Sequence, residues 1–467
     1  MSALYCIILS ILEYKLYIME NMQNSDFFVS YPKEAFWQLS KPLIWLSLFE
    51  AFYSFVDMFW ISQMSSEAFF AIGVSLPLLT LILSFGKAIG VGTNSIISRE
   101  LGENDFDDSY NSILHGIVAC FLLGLVIMLS TFLLPDILIL MDASSAMDLS
   151  LEYLTPIFLC SFVFLFSNLF ISTLQAEGNS RTPSIIIILT NVLNLIIDPI
   201  FIFVFGWGVR GVAYATILCS SLTTIYLLYW YLSGKTTVVL DFKYFKPGIV
   251  YDIFLVAAPN LLSNVLWCIS VMFFNKILID QLGEIGILLY STATRIQSLI
   301  VSPQKAFGHA LVTVSGHLFG AKKYDELNKQ FNYVTKIAVI IAIISTVAFF
   351  VVRDYGYALF SVTGMETSVF YIALAGIIIV PFSEVSRMSQ KVLDGMGKSY
   401  HTLILTIVMI ISEIGIVTLL EPIFTSGVCV LLGILIAEVA FAFVYYFLLK
   451  YLIGKYIDGE DSHVPND

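Results

Sequence analysis

Two aspartates stand inside stretches otherwise fit for the interior of a lipid bilayer. Asp57 ends Tyr53-Ser54-Phe55-Val56-Asp57, and Asp198 closes the run Asn191-Val192-Leu193-Asn194-Leu195-Ile196-Ile197-Asp198-Pro199. An ionisable group in hydrocarbon is costly, so it normally faces the protein interior or a water-filled space and handles ions there. On a helix, Asn194 and Asp198 lie four residues apart and share a face. Pro199 withholds a backbone N–H and can free a nearby carbonyl. Two carboxylates, an amide and a carbonyl make a hard oxygen set suited to a small cation such as Na+. The same carboxyls could instead carry a proton, because removal from water disfavours the charged form. Local capping or pairing is the plain structural alternative. Glu50 lies seven residues before Asp57 on the same helix face, where it could line the same cavity or meet solvent and headgroups. Pro42, early in that helix, is a kink candidate.

The second half of the chain does not duplicate this pattern. At an offset of about 218 residues, Asn275 stands for Asp57, Glu413 for Asn194 and Val417 for Asp198. Glu384 and Arg387 are three apart and are expected to neutralise one another. Arg295, Lys305 and His309 punctuate another run, and His309 reads as a packing histidine.

The elements that must position these groups follow from composition. Of 467 residues, 58% are hydrophobic and 12% charged, and the mean hydropathy is +0.89. Soluble chains sit near 45–50% apolar and about 25% charged, so this chain must turn apolar surface to lipid. Spanning-length runs cover 37–62, 68–97, 111–140, 152–176, 183–206 and 209–233, then 249–280, 284–315, 332–361, 367–396, 400–421 and 425–452. Only helices close their own backbone hydrogen bonds in lipid at this hydrophobicity, and the alternating pattern of a barrel is absent. Basic residues gather in even-numbered loops and at the flanks, which predicts both termini in the cytoplasm. The net charge of −12 argues against a nucleic-acid partner. Six scattered cysteines show no metal or disulfide spacing. No P-loop, nucleophile elbow or HExxH motif appears, so no enzyme chemistry is expected.

An internal repeat organises the runs. Gly102 with Phe106-Asp107 is matched by Gly320 with Tyr324-Asp325, and Gly178-Asn179-Ser180 by Gly397-Lys398-Ser399. An even number of spans per repeat makes the halves parallel copies, with a cavity between them that rocking exposes alternately. The expected division is an N-terminal extension at 1–34, an N-lobe at 35–233, a cytoplasmic linker at 234–248, a C-lobe at 249–452 and a polar tail at 453–467.

Three segments now carry a resemblance: Gly178-Asn179-Ser180-Arg181-Thr182-Pro183, Asn194 through Asp198-Pro199, and Gly208-Val209-Arg210-Gly211-Val212-Ala213-Tyr214-Ala215-Thr216. With Val56-Asp57 and the Gly102 and Gly320 loops, they resemble the multidrug and toxic compound extrusion (MATE) family over roughly 35–450. The resemblance implies an all-α integral membrane protein of about twelve helices in two six-helix bundles arranged as a V. It implies export of amphiphilic, often cationic organic compounds in exchange for H+ or Na+. Carried over by position, Asp57, Asn194, Asp198 and Thr216 form the coupling site and would hold Na+ if Na+ is used. Tyr153, Glu50 and Asn191 would line the substrate cavity. The seventh span, which reads Ser263-Asn264-Val265-Leu266-Trp267-Cys268-Ile269-Ser270 at its middle, has no Glu, which favours the DinF-like branch with its N-lobe acids. No cofactor is implied. The partners are the small organic substrate, the coupling ion and the bilayer of a plasma or inner membrane, with the chain a monomer. A flippase for lipid-linked oligosaccharide or polysaccharide is the alternative, expected to need more spans and a basic cavity.

Overall fold

A computed structural model describes residues 25–103, 106–140, 146–236, 247–282, 284–359, 368–424 and 427–458. Most of the expected extension 1–34, most of the linker 234–248 and the end of the tail 453–467 lie outside the described residues.

A short helix, α1 (Ser25–Ser30), precedes α2 (Pro32–Ser62), α3 (Ser66–Gly102) and α4 (Phe106–Leu129). A 3-10 turn, Ser130–Leu133, joins α4 to α5 (Leu134–Leu140), and α6 (Met147–Leu159) and α7 (Ser161–Ala176) follow. Next come α8 (Arg181–Pro199), a turn of π-helix (Ile200–Val204) and α9 (Gly208–Leu232). The second half holds α10 (Pro247–Leu282), α11 (Glu284–Gly320), α12 (Tyr324–Leu359), α13 (Ser368–Gly395), α14 (Ser399–Leu420) and α15 (Val428–Ile457). Among the described residues nine helical stretches are long and apolar enough to cross a bilayer, and α6 with α7, bent by 53°, makes a tenth. The charged α11 and α13 complete twelve long helical stretches, close to the limits expected from hydropathy alone.

The repeat is visible in the backbone. After α7 the chain turns at Gly178, φ +93°, with Asn179 N–H donating to Leu174 O at 2.8 Å and Gly178 N–H to Gln175 O at 3.0 Å. After α13 it turns at Gly397, φ +72°, with Lys398 donating to Leu393 O at 2.8 Å and Gly397 to Asp394 O at 3.0 Å. Both are Schellman ends, which need a left-handed residue just past the helix and so favour glycine there.

Each half also lends the start of its first long helix to the other. Ala35, Phe36 and Leu39 of α2 are buried with Phe307, Leu311, Val334, Met388 and Val392 of the second half. Ile253 and Ala257 of α10 are buried with Ile89, Ile96 and Leu165 of the first. Ala35 and Ile253, like Leu39 and Ala257, are repeat partners, so the exchange is reciprocal. Trp37 Nε1 fixes the crossing of α2 by donating to Tyr333 Oη at 2.9 Å.

The C-terminal ends of α3 and α11 close the space between the halves. An added Cβ on Gly102 would collide with the backbone of His317, and one on Gly320 with the backbone of Arg99. Only glycine permits an approach this close. Asn94 and Thr313, repeat partners on α3 and α11, exchange hydrogen bonds at 3.1 and 3.2 Å, and Asn94 Nδ2 also donates to Ser172 O at 3.0 Å. Ser95 Oγ donates to Asp394 O at 2.5 Å, while His317 Nε2 lies 2.9 Å from Ala176 O with Phe28 stacked on its ring at 4.3 Å. We refer to this as the closed end.

Candidate functional site

The N-half acids meet where α2, α8 and α9 pack. Asn194 and Asp198 are buried on one face of α8, and Asn194 Nδ2 donates to Asp198 Oδ1 at 3.2 Å. From α2, Tyr53 Oη donates to Asn194 Oδ1 at 2.5 Å, so Asn194 is held at both ends of its amide. Asp57, one turn beyond Tyr53, lies beside Asp198, with the two carboxyls in hydrogen-bonding reach of each other. The second carboxyl oxygen of Asp198 is buried and makes no hydrogen bond among the described residues. An uncompensated carboxylate in such a place costs several kcal/mol, so a proton or a cation is needed there.

The local chain explains why the acid sits where it does. Pro199 cannot donate to the Leu195 carbonyl four residues back. The helix answers with one π turn, in which Phe205 N–H donates to Ile200 O at 2.9 Å. Single π turns are common at functional sites because they redirect the chain and leave carbonyls under-used. Gly211 of α9 lies against this turn: an added Cβ would stand 2.8 Å from the Phe201 carbonyl carbon. The Gly-Val-Arg-Gly run is therefore the packing complement of the turn that follows Asp198.

Tyr153 is buried on α6 within electrostatic reach of Asp57 and Asp198. Thr216 is half-buried and its hydroxyl donates to Val212 O on its own helix at 2.9 Å. Cys219, one turn further on, lies against Asn194 and Asp198. Below them the Thr190 and Thr223 hydroxyls meet at 2.9 Å, extending a polar ladder between α8 and α9. Asn191 is half-buried one helix position off the Asn194 face, and Pro42 is half-buried inside an unbroken α2. Tyr53 and Cys219 were not singled out from the sequence. Tyr53 sits one turn before Asp57, and that spacing was the available signal.

Glu50 does not join this cluster. It is exposed and lies within electrostatic reach of Lys87 on α3 and Lys305 on α11, so it faces the space between the halves. His309, one turn after Lys305, is likewise exposed and faces Lys305, Lys87 and Lys391 rather than packing between helices. In the second half, Arg387 pairs with Glu384 at 2.5 Å, as their spacing suggested. Lys391 pairs with the buried Asp394 at 2.9 Å, and Asp394 also accepts from Asn260 at 3.0 Å and Ser399 at 2.6 Å. Glu413 is buried near Glu438. Among the described residues no group of three or more His, Cys, Asp or Glu side chains is placed to hold a metal ion.

A model of the MatE family matches residues 42–200 and 257–419. The multidrug export protein MepA of Staphylococcus haemolyticus is 24% identical over 372 residues, 78% of this chain and 79% of that protein. MepA of Staphylococcus aureus is 27% identical over 269 residues, 56% of this chain and 59% of that protein, so the match spans less than two thirds of that relative's length. Among solved structures, a multidrug resistance MATE family transporter of the MOP superfamily in its outward-facing conformation superposes with a TM-score of 0.86 at 27% identity, covering 93% of this chain and 99% of that one. A MOP superfamily transporter from Pyrococcus furiosus, described by a binding pocket of reversed polarity, reaches 0.88 at 26% identity, covering 93% and 98%.

Proposed function

We propose that this chain, which belongs to the MatE family of transporters, exports amphiphilic organic compounds in exchange for H+ or Na+ bound at Asp57 and Asp198. The observation that carries the reading is the buried, unpartnered oxygen of Asp198 beside the Asp57 carboxyl. Two facing carboxyls hold one positive charge more readily than none, because like charges at close range disfavour double ionisation. Arrival of the ion relieves that repulsion, and its departure restores it. Tyr53 couples the event to α2, since its hydroxyl holds the amide that holds Asp198. Asp57 itself is on α2, whose first turns are packed in the other half. A change at the acids is thus transmitted along one helix to the opposite lobe.

Positive residues in even-numbered loops support a cytoplasmic position for the closed end. The arrangement described is then the outward-open one, in which the external ion displaces substrate. Reloading from the cytoplasm requires the closed end to part and releases the ion inward. The N-half acids, with no Glu in 263–270, support membership of the DinF-like branch. Whether the ion is Na+ or H+ decides how many oxygens are used: Na+ would take Asp57, Asp198 and a neighbouring oxygen such as the Leu195 carbonyl. The chain acts as a monomer in a plasma or inner membrane, since its cavity lies between its own halves.

The test is efflux of a fluorescent organic cation from energised vesicles with Na+ and H+ gradients imposed separately. Wild type exports under one gradient, and Asp198→Asn and Asp57→Asn each cut the gradient-driven rate by about tenfold or more. Normal export by a folded Asp198→Asn variant overturns the assignment.

A further inference from the structure

The repeat that carries the acids of the first half sets another pair of acids at the matching place in the second. In the first half, antiparallel α8 and α9 are registered by the Thr190–Thr223 contact at 2.9 Å, and one turn on Cys219 lies against Asn194. Gly208 at the start of α9 and Gly427 at the start of α15 both have positive φ, +53° and +73°. They stand 219 residues apart, the same spacing that separates Gly178 from Gly397. At that spacing the partner of Asn194 is Glu413 on α14, and the partner of Cys219 is Glu438 on α15.

Contacts on either side bring the two glutamates face to face. Toward one end, Thr406 Oγ1 lies 3.1 Å from Tyr445 Oη, which donates to Thr402 O at 3.1 Å. Toward the other, Gly433 packs on Val417, so that an added Cβ would collide with the valine side chain. Glu413 comes seven residues after Thr406 and four before Val417, and Glu438 comes seven before Tyr445 and five after Gly433. Antiparallel helices pinned at both contacts hold these positions level on the packed faces. Glu413 is buried, and the two side chains are within electrostatic reach of one another. Glu438 Oε2 is buried and makes no hydrogen bond among the described residues.

The neighbouring helices add a third acid and an amide. The C-terminal ends of α13 and α15 share one core through Val392, Met396, Leu449 and Ile453, so the two helices run parallel. Gln390 of α13 is in hydrogen-bonding reach of Tyr445. Six residues before Gln390, Glu384 stands level with Glu438, seven before Tyr445. Glu384 is fully buried; its Oε1 accepts from Arg387 at 2.5 Å and its Oε2 makes no hydrogen bond among the described residues. Arg387 also reaches Glu438, but Glu384 already engages it. On α10 the repeat partner of Asp57 is the amide Asn275, whose buried Oδ1 makes no hydrogen bond among the described residues. Pro199 has no counterpart: Thr418 stands in its place, donating to Ile414 O at 2.8 Å within an unbroken α14. The carbonyls around Glu413 are therefore used inside the helix, whereas the π turn after Asp198 frees its own. Two carboxyls without spare carbonyls suit H+ better than Na+, which seeks a fuller shell of oxygens.

We infer that Glu413 and Glu438 hold one proton between them, a second protonation site in the C-terminal half, apart from the Asp57–Asp198 pair. Uptake from the medium forms an O–H bond on one carboxyl, which donates to the other carboxylate. Release returns the proton to water and leaves two negative charges facing each other across α14 and α15, an arrangement that burial makes costly. The proton thus fastens α14 to α15, and alkaline pH loosens them. The exchange is with the medium and not with substrate, since these side chains lie on none of the helices α2, α8 and α9 that carry the coupling pair.

The experiment uses the full chain carrying Asp57→Asn and Asp198→Asn in nanodiscs, so that the coupling pair contributes nothing, and the probe is H+ alone. Infrared difference spectra across a pH titration should show a protonated-carboxyl C=O band that disappears as pH rises. Adding Glu413→Gln with Glu438→Gln removes that band. The Tm of the parent falls as pH rises through the same range, because the folded chain holds a proton that the unfolded chain gives up, and the added substitutions remove about half or more of that fall. Should the glutamine pair fail to fold, Glu413→Asn with Glu438→Cys installs the residues that the first half packs at the same place, and the band is again lost. A band untouched by either set, or absent at every pH, overturns the inference. A band that Glu384→Gln alone removes places the proton on Glu384 and overturns the pair. Displacement of the band by Na+ at constant pH overturns the choice of H+. No substrate or gradient is present, so failure of the antiport reading leaves this outcome unaffected.

Discussion

Replacement of Gly102 by alanine puts a methyl group into the tightest part of the closed end. An ideal Cβ there falls 2.9 Å from both the carbonyl carbon and the Cα of His317, and nearer still to its carbonyl oxygen. Those atoms are backbone and cannot rotate aside. His317 is further pinned by Ala176 O at 2.9 Å and by the stacked ring of Phe28. The methyl is therefore accommodated only by separating α3 from α11, and overpacking of this kind costs about 1–3 kcal/mol. The strain exists only while the end is closed. The open-to-closed ratio should then rise about 5- to 150-fold. Spin labels at Arg181 and Lys323, both exposed at that end and on opposite halves, report the ratio by pulsed dipolar spectroscopy in a chain freed of its native cysteines. A longer distance should gain population in Gly102→Ala. Gly454→Ala, where nothing stands within 4 Å of the added methyl, should leave the distribution unchanged. A Gly102→Ala chain with the wild-type distribution would refute the claim that this crossing is the closed-state contact.

Three further outcomes follow from named contacts. Tyr53→Phe removes the hydroxyl that holds Asn194 and should slow gradient-driven export by roughly fivefold, with a loss of about 1 kcal/mol, while thermal stability in detergent changes little. Asp394→Ala strips Lys391, Asn260 and Ser399 of a common acceptor; because Lys391 keeps some solvent contact, the cost should be no more than about 3 kcal/mol, read as a lowered Tm. Asn94→Ala deletes the bonds to Thr313 and Ser172 O, about 1 kcal/mol each, and should shift the same spin-label distances in the direction of Gly102→Ala.

Much of this fold was legible because lipid imposes simple rules. Spanning length and closed backbone hydrogen bonding gave helix limits close to those observed, and the glycine loops at 102, 178, 320 and 397 marked a repeat in which the turns at 178 and 397 share one geometry. Asp57, Asn194 and Asp198 announced themselves as polar side chains in hydrocarbon. Contacts that depend on which aromatic or small residue faces inward were less legible. Tyr53 is one of 24 tyrosines, and only the packing of α2 on α8 distinguishes it from a membrane-interface residue. Cys219 reaches the acids because a single turn of α9 decides which side chain meets α8. The exchange of α2 and α10 between halves was also hidden, because an apolar helix start does not say which core it enters.

The most direct test of the central claim is ion release on substrate binding by the purified chain in lightly buffered detergent, with Na+ and H+ followed in parallel. If Asp57 and Asp198 hold the coupling ion, a saturating amphiphile should expel one of the two ions from wild type and neither from Asp57→Asn/Asp198→Asn. Release of the same ion in the same amount from the doubly substituted protein would contradict the account.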